Sequence, residues 1–243
     1  IFEKEQSAGG VVNNIIPKFR IPAEVIQHDI DFVTAHGVNI EYGCKDLDIA
    51  ALQQNGYKYV CLGIGADKGN PIQIAGDNSN IYKSLDFLGR YNQGQFAANS
   101  LGKHVVVVGA GNTAMDSARA ALKVAGVDKV TVVYRRSIAE MPAYKEEYDE
   151  AVADGVNFMF LTNPESFTAD GLLTARVMEL GEADAKGRRS PMATDKTVEL
   201  QVDALITAVG EQANCELLTA MGIPMADDGW PQVNSDTTET GLN

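Results

Sequence analysis

Residues 102–136 read GKHVVVVGAGNTAMDSARAALKVAGVDKVTVVYRR, and this stretch decides the fold. Four β-branched residues in a row, Val105 to Val108, predict a short strand that is buried on both faces. A glycine turn at 109–111 ends this run, and apolar residues then recur at helical spacing from Asn112 to Val124. A second β-branched run extends from Val130 to Tyr134. The order of strand, glycine turn, helix and strand predicts one βαβ unit of a dinucleotide-binding fold.

The glycine turn carries the fingerprint G-x-G-x-x-A at Gly109, Gly111 and Ala114. Gly109 permits a tight turn, Gly111 lets the backbone approach a pyrophosphate, and Ala114 lets the helix lie close to the strand. We expect the phosphates at the helix N-terminus, where unpaired N–H groups and the helix dipole favour an anion. The alternative is a glycine turn without a ligand, but the position of the fingerprint between a strand and a helix favours cofactor binding.

The end of the second strand indicates the type of cofactor. An NAD site usually has Asp or Glu there to hold the ribose 2′-hydroxyl, whereas this chain has Tyr134-Arg135-Arg136. Two guanidinium groups can bind a 2′-phosphate through paired hydrogen bonds, and an acid there would repel it. An arginine pair at a strand end can also be simply solvated. Because the fingerprint lies upstream and the rest of the chain is acidic, we expect NADPH rather than NADH.

The composition excludes several function classes. The chain has 243 residues and a net charge of −13, which argues against nucleic acid or an anionic membrane as partner. No apolar run approaches the ~20 residues that span a bilayer. Neither G-x-S-x-G nor H-E-x-x-H occurs, and no metal-ligand spacing is present, so hydrolase and metalloenzyme interpretations have no support. The three cysteines are expected to be buried thiols in a reducing cytoplasm; they are Cys44, Cys61 and Cys215.

Outside the βαβ unit, the pattern predicts elements of both kinds. Helices are predicted at 23–36, 49–55, 84–91, 141–153 and 215–221. Strands are predicted at 1–3, 38–42, 57–64, 156–161, 172–180, 197–202 and 203–210. Since 156–161, 172–180 and 197–202 follow one another without helices, we expect a β-meander inserted in the parallel sheet or packed on it. The basic loop 187–191 is either a second anion contact or a solvated hairpin tip, and we favour the hairpin tip.

Six motifs occur in the order that is found in one protein family. They are IFEKEQSAGG (1–10), IIPKFRIP (15–22), GIGA (63–66), VVVVGAGNTAMDSARAAL (105–122), YRRSIAEMP (134–142) and ITAVGEQAN (206–214). With these motifs the chain resembles the small (β) subunit of NADPH-dependent glutamate synthase over nearly its whole length. The wider group includes dihydropyrimidine dehydrogenase and a flavoprotein subunit assigned to selenate reductase, to which IIPKFRIP and SIAEMPAY look most similar.

The resemblance implies an α/β fold with the two dinucleotide-binding domains of glutathione-reductase-like proteins. A Rossmann-like NADPH-binding domain, 99–211, would be inserted between two incomplete segments of an FAD-binding domain, 1–98 and 212–243. In that family NADPH reduces the flavin, and electrons leave through iron–sulfur clusters to a partner subunit or domain. The catalytic atoms then belong to the cofactors, so the resemblance names no catalytic residue and no metal ligand in this chain.

The resemblance also implies residue roles. The NADPH pyrophosphate would be held by Gly109, Gly111, Asn112, Thr113 and Ala114, and the 2′-phosphate by Arg135 and Arg136. On the FAD side, Glu3 would bind the ribose. Gly9, Gly10 and Arg20 would lie near the flavin. Gly65 and Gly210 would be the crossing points between the domains.

Three parts of the family pattern are absent from the sequence. They are the first G-x-G-x-x-G, which binds the FAD pyrophosphate, the closing Gly-Asp segment and the cysteine-rich cluster region. We therefore expect a piece of a longer protein that binds NADPH but holds FAD weakly or not at all. An exposed flavin-side surface would also allow a homodimer. The alternative function is a non-catalytic nucleotide-binding or assembly module of a redox complex. An NAD-dependent dehydrogenase is less favoured, because no catalytic His, Lys or Tyr constellation is evident.

Overall fold

The computed structural model describes residues 1–77, 79–185, 187–227 and 229–241. They form two compact units. The first unit contains Ile1–Ala8, Val33–Lys68 and the described residues from Glu211 onward, and the second contains Gly9–Phe32 and Gly69–Gly210. The second unit thus holds the predicted NADPH domain up to position 210 and two earlier segments. The division into FAD and NADPH domains stays a prediction, and positions 242 and 243 of its last segment lie outside the described residues.

The strands and helices alternate along much of the chain. The strands are β1 (Phe2–Glu3), β2 (Glu41–Tyr42), β3 (Lys68–Gly69), β4 (Ala75–Gly76), β5 (Ile81–Lys83), β6 (His104–Val108), β7 (Lys129–Tyr134), β8 (Asn157–Phe160), β9 (Thr162–Phe167), β10 (Leu172–Ala183), β11 (Arg189–Gln201), β12 (Ala204–Thr207) and β13 (Glu211–Gln212). The helices are α1 (Gly10–Asn14), α2 (Ala23–Ala35), α3 (Ile49–Gln54), α4 (Ser84–Asn92), α5 (Asn112–Leu122), α6 (Lys145–Ala153) and α7 (Cys215–Ala220), and a short 3₁₀ helix spans Ile138–Glu140.

A five-stranded parallel sheet forms the centre of the second unit, in the order β5-β12-β6-β7-β8. The predicted βαβ unit is confirmed as β6, α5 and β7. β12 is the last of the five strands in the sequence, yet it pairs with β5 on one side and β6 on the other. The strand order therefore reverses beside β6. Such a switch point is where open α/β sheets bind ligands, outside the carboxyl ends of the strands.

The valines of β6 show how this sheet divides the core. Val105 and Val107 cluster with buried residues of α4 and α5 on one face. Val106 and Val108 cluster on the other face with buried residues of β9 and β10. Successive side chains of a strand point to opposite faces, so an unbroken valine run suits a strand that is covered on both sides. All four valines are buried, as the sequence predicts.

The second face is covered by a sheet in the order β11-β10-β9-β4, in which β9, β10 and β11 are antiparallel. The predicted meander is confirmed, but the prediction of 156–161 as its first strand is wrong. Residues 157–160 form β8 and pair in parallel with β7, and the meander begins instead at β9. The Asn163-Pro164 pair predicts a turn, but Pro164 lies where the β9–β10 register shifts. Proline is tolerated in a strand at such an irregularity, because no ladder hydrogen bond from its nitrogen is needed.

In the first unit, β1 and β2 are parallel partners. Phe2 packs edge-on against Tyr57, with 5.9 Å between the ring centroids, and the Lys4 Nζ atom lies 2.8 Å from an Asp67 carboxylate oxygen. The predicted strand at 57–64 is wrong, since these residues form no strand. Tyr59 is 89% exposed, so the apolar run that predicts a buried strand does not pack in a hydrophobic core.

The cysteines correct another expectation. All three are free thiols, but Cys61 is exposed and Cys44 and Cys215 are half-buried, so the prediction of buried thiols is wrong. They belong to the first unit. The buried apolar residues in its described part are few, namely Ala8, Leu218 and Ile223.

In the described ranges, we find no helix with both the length and the apolar surface that a membrane crossing requires.

Candidate nucleotide-binding site

The glycine turn after β6 lies against the end of β12. The Ala208 N–H donates to the Val108 carbonyl at 2.7 Å. Gly109 has a φ of 121°, and a Cβ atom at this position would lie 2.1 Å from the Ala208 carbonyl oxygen. Both the positive φ and the close approach require glycine. Gly109 therefore brings the two strands together at the carboxyl edge of the sheet.

Gly111, by contrast, faces open space. It is the N-cap of α5 in an extended conformation, with a φ of −86° and a ψ of 178°. A Cβ atom at this position would meet no atom of the described residues within 4 Å. Its role in the fingerprint is thus not set by protein packing, and the absence of a side chain leaves room for a ligand beside the backbone.

The first N–H groups of α5 are available to a ligand. No side chain caps the helix, and the N–H groups of Asn112 and Thr113 have no acceptor among the described residues. Four N–H groups at a helix start lack intrahelical partners, and together with the helix dipole they favour an anion. Ala114, which is fully buried, packs in the core behind this turn. The five residues predicted to hold the pyrophosphate thus lie together at the start of α5.

The loop 141–144 is fastened to the same turn. The Asn112 Oδ1 atom accepts a hydrogen bond of 2.9 Å from the Tyr144 N–H, and the Ala143 N–H donates to the Ala110 carbonyl at 3.1 Å. These tertiary bonds hold the loop out of helical conformation. The prediction of a helix from Met141 is therefore wrong at its start, and α6 begins at Lys145.

Arg135 and Arg136 follow β7 at the same edge of the sheet. Arg135 is exposed and Arg136 is half-buried. Within the described ranges, neither guanidinium group forms an ion pair. The Arg136 Nε atom is buried and has no hydrogen-bond acceptor among the residues that the structure describes. A buried charged donor without an acceptor is costly, so the described part of the protein leaves the Arg136 guanidinium group incompletely satisfied.

A short turn follows the arginine pair. The 3₁₀ helix Ile138–Glu140 has a capping box, in which the Ser137 hydroxyl accepts from the Ala139 N–H and the Glu140 carboxylate accepts from the Ser137 N–H. The Tyr134 hydroxyl donates to the Glu140 carbonyl at 2.8 Å. The S-x-x-E spacing of residues 137–140 is a sequence signal for this motif, and sequence reasoning missed it.

Glu140 also pairs with Arg189, at the start of β11. The Arg189 Nε atom donates to Glu140 Oε1 at 2.7 Å, and its Nη2 atom contacts the same oxygen. Hydrogen bonds from Ser137 and the charge of Arg189 hold the pKa of Glu140 below its ordinary value. In the basic loop 187–191, Gly187 and Arg188 are exposed between the antiparallel strands β10 and β11, which agrees with the predicted hairpin tip, whereas Arg189 pairs with Glu140. Sequence reasoning offered no signal for this partner, because 49 positions separate the two residues.

Arg20 contacts two helices near this site. Its guanidinium group donates to both carboxylate oxygens of Asp116 on α5, at 2.8 and 2.9 Å, and also contacts Glu147 on α6. Burial raises the pKa of Asp116, while the hydrogen bonds from Arg20 oppose that shift. Arg20 thus fixes the segment after α1 to the helix that begins at the glycine turn. Its expected position near a flavin stays a prediction.

The remaining predicted residues lie in both units. In the first unit, Glu3 lies in β1 and its carboxylate accepts from the Glu5 N–H at 2.9 Å. Gly65 has a φ of 68° and faces open space. In the second unit, Gly9 and Gly10 form the start of α1 with φ values of 105° and 50°. The Gly210 carbonyl accepts from the Asn70 N–H at 2.8 Å. Their roles, near FAD for Glu3, Gly9 and Gly10 and at the crossings between domains for Gly65 and Gly210, stay predictions.

Solved structures share this fold. FprA of Mycobacterium tuberculosis in complex with NADPH has a TM-score of 0.73 at 19% sequence identity, and the match covers 93% of this chain and 66% of that one. Thioredoxin reductase of T. acidophilum has a TM-score of 0.63 at 16% identity, with 99% and 78% covered. At these identities the likeness concerns the fold alone. It confirms the predicted α/β class with its dinucleotide-binding architecture.

Curated sequences are more similar. YgfK of Escherichia coli (strain K12) is 63% identical over 245 residues, which cover all of this chain and 24% of YgfK. The β subunit of NADPH-Fe(3+) oxidoreductase from Geobacter sulfurreducens (strain DL-1 / KN400) is 35% identical over 88% of this chain and 33% of its own length. The small chain of glutamate synthase [NADPH] from Azospirillum brasilense is 31% identical over 86% of this chain and 47% of its own. The chain therefore spans less than half of each relative.

The relatives confirm the resemblance that the six motifs indicate. A family model described as pyridine nucleotide-disulphide oxidoreductase matches residues 3–241, which is nearly the whole chain. The match includes the fingerprint, the arginine pair and the strand that closes the sheet. The chain therefore belongs to the pyridine nucleotide-disulphide oxidoreductase family.

Proposed function

We propose that this chain binds NADPH at the carboxyl edge of its parallel sheet. The observation that carries the proposal is the state of Arg135 and Arg136. In a chain of net charge −13, these two cations have no acidic partner in the described ranges, and the Nε atom of Arg136 is buried without an acceptor. A 2′-phosphate offers the acceptors that paired guanidinium groups favour.

The glycine turn supports the same proposal. The N–H groups of Asn112 and Thr113 and the open space beside Gly111 suit a pyrophosphate at the start of α5. Each of these groups is on an element of the second unit. A helix start alone would suit many anions. The addition of two arginines at the end of the next strand is what selects a dinucleotide with a 2′-phosphate.

For the whole protein, we propose an NADPH-dependent flavin oxidoreductase that feeds a partner. Bound NADPH and FAD would together supply hydride transfer to the flavin and the release of single electrons. In support, two relatives are named as subunits of NADPH-linked enzymes. We propose an iron–sulfur or other electron-accepting subunit or domain as partner, with a selenate-reductase-like system as one form. Glu3, Gly9, Gly10 and Arg20 stay proposed residues of the FAD side, and Gly65 and Gly210 stay proposed crossing points between the two domains. The three free thiols support a cytoplasmic location.

Calorimetric titration with NADPH and, separately, with NADH tests the cofactor. We expect NADPH to bind at least tenfold more tightly, which is about 1.4 kcal/mol. Arg136→Glu should remove this difference, because it replaces a cation at the 2′-phosphate with an acid. Arg188→Glu is the matched control: it makes the same charge change on an exposed residue that has no ion pair in the part of the chain described. Equal binding of the two nucleotides by the unaltered chain would refute the proposal.

Adding FAD distinguishes the oxidoreductase proposal from the alternative of a non-catalytic assembly module. If the NADPH-bound chain reduces added FAD, the oxidoreductase proposal is supported. Nucleotide binding without flavin reduction would instead support a non-catalytic module, because such a module retains the fold and the site but not turnover. The loss of absorbance of NADPH and of oxidised flavin measures the two partners of the reaction independently.

A further inference from the structure

Glu140 presents an electrostatic problem at the proposed 2′-phosphate site. Its carboxylate accepts a hydrogen bond of 3.2 Å from the N–H of Ser137, the residue that directly follows Arg136. If it were unpaired, a carboxylate held beside the residue that follows the arginine pair would compete with a phosphate for the guanidinium groups and would repel its charge. Acids near the end of this strand are also what NAD sites use to hold a ribose 2′-hydroxyl.

Arg189 neutralises this carboxylate. Its Nε and Nη2 atoms both donate to Glu140 Oε1, and the Ser137 hydroxyl and N–H donate to Oε2. Both oxygens are therefore occupied, and the Glu140 side chain is only 13% exposed. A carboxylate with these donors stays ionised at neutral pH, so its charge must be balanced by a cation rather than removed by a proton.

The balancing cation comes from a different element than the arginine pair. Arg189 begins β11, in the antiparallel sheet, whereas Arg135 and Arg136 follow β7 in the parallel sheet. Arg189 pairs with Glu140, and the two arginines that follow β7 have no acidic partner among the residues described. Arg189 is thus paired within the protein, whereas Arg135 and Arg136 are available to a ligand.

We propose that Arg189 is a specificity-determining residue that acts through Glu140. By pairing with this carboxylate, Arg189 keeps Arg135 and Arg136 available for the 2′-phosphate and so gives the site its preference for NADPH over NADH. This inference rests on the proposed function. Arg189 is a positioning residue and need not touch the nucleotide.

The test is calorimetric titration of the 243-residue chain with NADP⁺ and, separately, with NAD⁺. We expect Arg189→Gln to weaken NADP⁺ binding at least tenfold and to change NAD⁺ binding less than threefold, since the released carboxylate would pair with the arginines. Adding Glu140→Gln to that variant should restore NADP⁺ binding to within threefold of the unaltered chain. Arg188→Gln, on the neighbouring exposed arginine, should change neither affinity. If Arg189→Gln fails to fold, Arg189→Lys is measured in its place. This variant keeps the positive charge and should retain most of the preference for NADP⁺ over NAD⁺.

Several results would overturn the inference. Unchanged NADP⁺ binding in Arg189→Gln would show that Glu140 does not need this cation. A loss that Glu140→Gln fails to rescue would show that Arg189 binds the phosphate directly. An equal loss for both nucleotides would show a structural role only. A chain with no preference for NADP⁺ before any substitution would refute the proposed function itself, and that outcome is read from the unaltered protein alone.

Discussion

Arg20 and Asp116 are 96 positions apart in the sequence and share two hydrogen bonds, of 2.8 and 2.9 Å, between guanidinium and carboxylate. The Asp116 side chain is 7% exposed and that of Arg20 is 27% exposed. Because Asp116 lies in the second turn of α5, this pair connects the segment after α1 to the helix that starts at the candidate nucleotide-binding site. The pair is therefore a structural support of that helix.

Arg20→Gln should destabilise the chain. It leaves the buried Asp116 carboxylate without its cation, and removal of one partner of a buried ion pair costs about 3 kcal/mol. Urea unfolding measures the change in the free energy of unfolding. The double variant Arg20→Gln with Asp116→Asn should recover part of this loss, because it removes the uncompensated charge. A loss below about 0.5 kcal/mol, typical of an exposed pair, would contradict the burial of Asp116.

Gly109→Ala should damage the fold itself. The new methyl group would lie 2.1 Å from the Ala208 carbonyl oxygen, at a φ of 121° that alanine rarely adopts. We expect the free energy of unfolding to fall by at least about 2 kcal/mol, with loss of NADPH binding as a consequence. Thermal unfolding monitored by circular dichroism measures the effect. An unchanged melting temperature would show that β12 does not pack against this turn.

Gly111→Ala should affect binding but not the fold. In the part of the chain that the structure describes, a Cβ atom at this position meets no atom within 4 Å, and the φ of −86° is open to alanine. The free energy of unfolding should change by less than about 1 kcal/mol. NADPH affinity should fall at least tenfold, because the methyl group occupies the space beside the backbone N–H groups. Unaltered affinity in calorimetry would place the pyrophosphate elsewhere.

His104 should make the stability depend on pH. Its Nε2 atom lies 2.9 Å from Thr131 Oγ1 and its Nδ1 atom 2.9 Å from the Gln201 carbonyl oxygen. Burial, aided by the charge of Lys129, lowers the pKa of His104 below its ordinary value of 6.5, although Gln201 and Asp203 oppose the shift. The unfolded chain thus binds the proton more tightly, so this contribution to stability is present above pH 6.5 and is lost as the pH falls below it.

Urea unfolding at pH 7.5 and at pH 5.5 tests this dependence. His104→Asn should reduce the difference in the free energy of unfolding between the two values of pH. His28→Asn is the control, because His28 is exposed on α2, and it should leave the difference unchanged. If both variants behave alike, His104 is not the group responsible.

The parts of the fold that the sequence predicts are those with local signals. The valine run, the glycine turn and the small residues of α5 each specify their own conformation, and β6, α5 and β7 follow the predicted order. Arg135 and Arg136 are predicted as cofactor ligands in the same way, from their place at the end of a strand. The fingerprint and the arginine pair, which are the centre of the candidate site, needed no knowledge of the rest of the chain.

The parts that the sequence does not predict depend on distant partners. Pro164 reads as a turn, but its neighbours in β10 accommodate it in a strand. Residues 141–144 read as a helix start, but Ala110 and Asn112 hold them as a loop. Arg189 pairs with Glu140, and Arg20 pairs with Asp116. Both pairings depend on which side chains the sheets and helices bring together. No local pattern encodes such a choice.

The central place of β12 has a consequence for how the protein is made. Residues 204–207 pair with both 81–83 and 105–108, so β5 and β6 keep unpaired edges until this late segment leaves the ribosome. Roughly a hundred residues separate β6 from β12, and at about 5–20 residues per second their synthesis takes about 5–20 s. During that interval the valine-rich β6 presents an edge that can pair with another chain. The candidate nucleotide crevice thus lacks the strand beside β6 until β12 is in place, and we expect aggregation to compete with folding during that interval.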